Sequence, residues 1–117
     1  MARVLLVDDD RDQMEIRRLI LEKAGHKVTC ACTASAALEA VASRGPQVVV
    51  MDLRMPRPED GRRLIRGLRT ADGRLRIIVV AGWPADLAGA PESQLIDQSL
   101  QKPVRSQHLL ELIDRVA

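Results

Sequence analysis

A doubly wound α/β fold on a parallel sheet is predicted by three features of this chain. Residues 4–7, 48–51 and 77–81 form short, β-branched, unalternating apolar runs, the pattern of strands covered by helices on both faces. Segments of helical periodicity with readable ends lie between them. Charged residues then stand directly after the first two runs, at the strand carboxyl ends where ligands bind in such sheets.

The elements follow in chain order. After the first strand, Asp12 and Glu15 are spaced as a capping box for a helix whose Ile16, Leu19 and Ile20 share a face, and Gly25 supplies its stop. Residues 27–32 alternate, with Val28, Cys30 and Cys32 on one side, as a less buried edge strand does. A helix over 34–43 turns Leu38 and Val41 inward and ends at Gly45 and Pro46. The run over 48–51 is the next strand, and a helix over 61–70 buries Leu64, Ile65 and Leu68. Between the strand at 77–81 and a brief one at 99–101, Gly89 and Pro91 disfavour an uninterrupted helix over 85–97, so the fourth helix is expected to be short, late-starting or mobile. The last helix, over 106–116, buries Leu109, Ile113 and Val116.

Composition narrows the function classes. The 117 residues suit one domain with its own core, and 46% hydrophobic with 29% charged residues excludes disorder as the default. Eighteen basic residues against 16 acidic ones give a net charge of +2, too even to imply nucleic-acid binding, and Trp83 is the single aromatic. The first apolar run meets acid too soon for a signal peptide or a membrane span, so a cytoplasmic protein is expected. Cys30 and Cys32, two apart on one strand face, read as small apolar residues rather than a disulfide or a metal pair.

Asp52 ends the most hydrophobic run, and an ionised carboxylate there must be paired, metal-bound or placed at the rim of the core. Asp8, Asp9 and Asp10 follow the first strand, and Lys102 follows the fifth. Parallel pairing of these strands brings Asp8, Asp9 and Asp52 to one edge, where like charges repel unless a hard cation intervenes; oxygen ligands with retained waters suit magnesium. Asp10 and Asp12 read as cap or turn residues. Pro56 turns the chain away from this edge.

The VDDD of residues 7–10, the DLRMP of 52–56, the small-residue turn after the fourth strand and the KP of 102–103 together resemble the receiver domain of two-component response regulators, over essentially the whole chain. The resemblance implies one receiver domain over residues 1–117, flavodoxin-like, with sheet order 2-1-3-4-5 and five helices. It implies that Asp52 is the phosphoacceptor, that Asp9, Asp52 and the Arg54 backbone carbonyl hold Mg2+, and that Asp8 acts largely through water. Lys102 is expected to pair with Asp52 at rest and with a phosphoryl oxygen afterwards, and the Lys102–Pro103 bond is expected to be cis. The implied partners are a sensor histidine kinase or phosphotransfer protein and a downstream protein, with a homodimer left open, and neither nucleic acid nor membrane touched directly. The only catalysis expected is of the chain's own phosphorylation and dephosphorylation. Because the chain stops just after its last helix, output through protein contact is expected.

Several positions depart from the family pattern. Ala81 stands where Thr or Ser normally offers a hydroxyl to the phosphoryl group, and Ser99 stands where an aromatic normally sits. The stretch 56–61 reads one residue longer than usual and 81–102 one shorter. Trp83 flanks the expected pocket and is read either as an exposed loop aromatic or as a cover that slows water attack. Eight arginines lie between Arg54 and Arg76 against three acids, and Arg62, Arg66 and Arg69 are spaced as a solvated helix face. Ala81 and Ser99 support a second reading, a binding scaffold that works without phosphorylation. A flavodoxin-like cofactor enzyme fits the architecture but lacks a phosphate-binding loop after the first strand.

Overall fold

The computed structural model describes all 117 residues. Five strands, β1 (Arg3–Val7), β2 (Lys27–Ala31), β3 (Val48–Asp52), β4 (Arg76–Ala81) and β5 (Gln98–Gln101), form one parallel sheet in the order β2-β1-β3-β4-β5. This is the predicted order. Four α-helices accompany them rather than five: α1 (Arg11–Lys23), α2 (Ala34–Arg44), α3 (Pro58–Ala71) and α4 (Ser106–Val116). The missing helix is replaced by two 3-10 turns, Pro84–Asp86 and Pro91–Gln94, each opened by a proline, with Gly89 between them at φ +76°.

Alternation along the strands divides the core into two layers. Leu5, Val7, Val49, Met51, Ile77 and Val79 face α2 and α3, whose Ala37, Val41, Leu64, Ile65 and Leu68 are buried against them. Val4, Leu6, Val48, Val50, Ile78 and Val80 face α1 and α4, which contribute Met14, Leu21, Leu109, Leu112 and Ile113. Both faces of β1, β3 and β4 are therefore covered, which is why their runs do not alternate. Val28, Cys30 and Cys32 pack together at the margin of the second layer, and both cysteines are free.

Local differences from the sequence reading have identifiable causes. Asp10, not Asp12, caps α1: its Oδ1 accepts from the N–H groups of Asp12 and Gln13, both at 3.1 Å. Met14 and Leu21 are the buried positions of that helix, while Ile16 and Leu19 are exposed. Helix α3 starts at Pro58, so residues 58–61 of the stretch 56–61 are its first turn, secured by the Arg57 N–H donating to Asp60 Oδ2 at 3.2 Å. On α4, Val116 is only half-buried and Leu112 takes the interior place. No helix is long and apolar enough to cross a membrane.

Candidate functional site

The parallel ladder continues past the strand ends and holds the expected site residues level. The Asp8 N–H donates to Ala31 O at 3.2 Å, the Leu53 N–H to Val80 O at 3.1 Å and the Lys102 N–H to Ala81 O at 3.0 Å. Asp52, the last residue of β3, is 6% exposed, and its Oδ2 accepts a hydrogen bond from Lys102 Nζ at 2.6 Å. A charge-assisted contact of that length holds the carboxylate at the rim. Asp9, Arg54, Pro56 and Trp83 line the same cleft as Asp52 and Lys102.

Asp8 lies behind this cleft and is buried. Its Oδ1 accepts from the Asp10 N–H at 2.9 Å, but its Oδ2 is buried with no hydrogen bond, Arg17 Nη1 standing 3.6 Å away. Burial raises the Asp8 pKa above its usual 3.8; the Asp10 N–H opposes that, the Asp52 charge adds to it, and Arg17 and Lys102 pull it down. An orphaned buried carboxylate oxygen beside a second acid is the environment a hard cation and its waters relieve. No group of three His, Cys, Asp or Glu side chains is placed to hold a metal unaided. Any ion here would therefore take few protein ligands and keep several waters, which suits magnesium.

The Arg54 side chain, for which the sequence offered no role, closes one wall. Its Nε and Nη2 donate to Asp86 Oδ2 and Oδ1 at 2.7 and 3.1 Å, and its Cζ lies 4.1 Å from the Trp83 ring centroid. That fork lowers the Asp86 pKa. Trp83 itself is 59% exposed. Ala81 presents only a methyl group, and with Ser99 it lines a separate groove beside Leu87, Ile96 and Leu100. The Lys102–Pro103 bond is cis as expected, and Met55–Pro56 is cis as well.

Arg62, Arg66 and Arg69 of α3 are paired rather than left to solvent. Arg62 Nη1 donates to Asp86 O at 2.8 Å, Arg66 Nη1 to Glu92 Oε2 at 2.5 Å, and Arg69 to the carbonyls of Leu95 and Leu75. They strap the β4–β5 connection to the helix. The signal in the sequence lies in the acids Glu92 and Asp97 of that connection, which meet Arg62, Arg66 and Arg69.

Comparison with known proteins places the chain in a family. The family model described as the response regulator receiver domain matches residues 4–114. Response regulator protein FleR of Pseudomonas aeruginosa is 33% identical over 117 residues, 99% of this chain and 24% of its own length. Response regulator MprA of Mycolicibacterium vanbaalenii is 41% identical over 79 residues, 68% of this chain and 34% of its own length. The chain thus spans a quarter to a third of these relatives. A CheY-like receiver domain from Methylobacillus flagellatus superposes with a TM-score of 0.88 at 26% identity, covering 100% of this chain and 99% of that one. Response regulator protein TrrA from Thermotoga maritima, solved in complex with Mg2+ and BeF, has the same fold, with a TM-score of 0.88 at 22% identity over 100% of both chains. On the family match and the shared fold, this chain belongs to the response regulator receiver domain family.

Proposed function

We propose that the chain is a phosphoacceptor in a two-component phosphorelay, with Asp52 as the residue that takes the phosphoryl group from a histidine of a sensor kinase or phosphotransfer protein. The observation that carries this reading is the 2.6 Å contact between Asp52 and Lys102, joining the ends of β3 and β5 in a cleft that Asp9 also lines. An Asp52 carboxylate oxygen attacks phosphorus, the P–N bond breaks, and the imidazole leaves with the bonding pair. The product is an acyl phosphate. Water later attacks phosphorus, breaking the P–O bond to give inorganic phosphate and the free carboxylate.

Such a transfer needs positioning and charge neutralisation more than covalent help. Lys102 keeps a positive charge where the phosphoryl oxygens arrive. Asp9, Asp52 and the Arg54 carbonyl would hold magnesium, with Asp8 behind them accepting from a bound water. Magnesium supplies Lewis-acid neutralisation of the phosphoryl oxygens. The chain acts as one receiver module, cytoplasmic, and the relatives' greater length leaves its output partner to be found among further domains or other proteins.

A scaffold that signals without phosphorylation is the second reading, favoured by the absence of a hydroxyl at Ala81 and of an aromatic at Ser99. Incubation with Mg2+ and acetyl phosphate, followed by intact-mass measurement, separates the two. A phosphate adduct that depends on Mg2+ supports the phosphoacceptor; no adduct supports the scaffold.

A further inference from the structure

Two cationic side chains line the Asp52 cleft, and only one of them is on Asp52. Lys102 is bonded to the carboxylate, whereas Arg54 is held at the mouth by a two-point fork onto Asp86 and by the face of Trp83. The position that normally donates a hydroxyl to the phosphoryl group carries the Ala81 methyl. A phosphoryl group brings about two negative charges and three strong acceptors into the cleft. With no hydroxyl at Ala81, the remaining side-chain donors lining the cleft are Lys102, Arg54, the Gln13 amide and the Trp83 indole, and of these only Lys102 and Arg54 are cationic.

We infer that the Arg54 guanidinium is the phosphoryl-binding group that Ala81 cannot be, exchanging Asp86 for phosphoryl oxygens when Asp52 is modified. The inference rests on the phosphoacceptor reading of Asp52. A planar guanidinium presents the same two-pronged donor pair to phosphate as to carboxylate, so the exchange keeps its geometry. The phosphoryl group is the stronger attractor because it carries more charge. The exchange leaves the Asp86 carboxylate to water, while Arg62 still donates to the Asp86 backbone carbonyl at 2.8 Å.

The exchange also gives this chain an output route of its own. Asp86 ends the first 3-10 turn, and that turn opens directly after Trp83. Releasing Arg54 from Asp86 loosens the front of the β4–β5 connection, which keeps the Arg62 bond to the Asp86 carbonyl, while Arg66 and Arg69 keep its far end on α3. Movement is thereby confined to residues 82–90. Trp83 is the chain's one aromatic residue, so its emission reports on the guanidinium stacked against it.

The test uses Mg2+ with beryllium fluoride as the phosphoryl mimic, calorimetry for affinity and Trp83 emission for the local change. Wild type is expected to bind with a shift in emission. Arg54→Met is expected to bind on the order of tenfold more weakly and without the emission shift, and Arg54→Lys to fall between the two. Asp86→Asn, which frees the guanidinium, is expected to tighten binding. Because the Arg54 side chain is exposed, the thermal unfolding midpoint of Arg54→Met and Arg54→Lys is expected to match that of wild type. Unchanged affinity and an unchanged emission response in Arg54→Met overturn the inference while leaving the phosphoacceptor reading intact. No binding by wild type, together with no acetyl phosphate adduct, overturns both.

Discussion

Arg69 of α3 donates from both Nε and Nη2 to one carbonyl, that of Leu95, at 3.1 and 2.6 Å. Its Nη1 donates to Leu75 O at 2.6 Å and Gly73 O at 3.1 Å. One side chain thus ties the start of β4 to the end of the connection that leads into β5.

Replacing Arg69 by Met removes this bridge and leaves partly buried carbonyls without their charged donor. The expected loss is about 2–3 kcal/mol of unfolding free energy, read as a lower urea midpoint. Arg69→Lys is expected to recover less than half of it, because an ammonium cannot reach Leu95 and Leu75 with separate prongs. Full recovery by lysine would show that charge alone suffices.

Gly61 is the closest approach between α3 and the chain leaving Asp52. A Cβ there would stand 1.8 Å from Leu53 O and 2.6 Å from Leu53 C, both backbone atoms that cannot rotate away. Gly61→Ala is therefore expected to cost about 2 kcal/mol or more by thermal unfolding. Gly67, on the same helix, is the control: its Cβ would meet the Leu38 Cδ2 methyl at 3.3 Å, which can turn aside. Gly67→Ala is expected to stay within about 1 kcal/mol of wild type, the gain in helix propensity offsetting the contact.

Glu92 is a buried acid whose hydrogen bond from Arg66 lowers its pKa below the usual 4.5, with Arg62 adding to the effect. A carboxylate with a lowered folded pKa adds stability above its unfolded pKa and loses it as the pH falls through the folded one. The gap in stability between wild type and Glu92→Gln is therefore expected to be full above pH 4.5 and to close below it. Urea titrations of both proteins across that range read it, and a gap that does not change with pH would contradict the pairing.

Trp83 stacks on Arg54 at the mouth of the cleft, and exposed contacts of this kind are worth about 0.5–1 kcal/mol. Trp83→Ala is expected to speed loss of the phosphoryl group from Asp52 by roughly two- to fivefold. The decay of the adduct by intact mass after removal of the donor checks this. An unchanged decay rate would remove Trp83 from the account.

Which parts of this were legible in the sequence depends on what each signal rests on. The covered strands were readable as unbroken apolar runs, two of which stop on an aspartate, whereas the strand order and the meeting of Asp52 with Lys102 were legible through the family resemblance of the motifs at the strand ends. The buried face of α1 was not, because the position between Met14 and Leu21 on that face is Arg17, drawn in beside Asp8, and a charged residue masks the stripe. Gly89 and Pro91 pointed to the weak fourth helix, yet not to the two 3-10 turns that replace it. The α3 arginines were misread because spacing shows only that Arg62, Arg66 and Arg69 share a side. What that side meets is decided by Glu92 and Asp97, which arrive through tertiary folding.

The central claim, that Asp52 is the acceptor, is tested most directly by locating the phosphoryl group. After incubation with Mg2+ and acetyl phosphate, borohydride reduces an aspartyl phosphate to homoserine, and peptide sequencing by mass finds its position. The account predicts homoserine at position 52 and at no other aspartate. Homoserine at position 8 or 9, or none in a chain whose Asp52–Lys102 pair is intact, would contradict it.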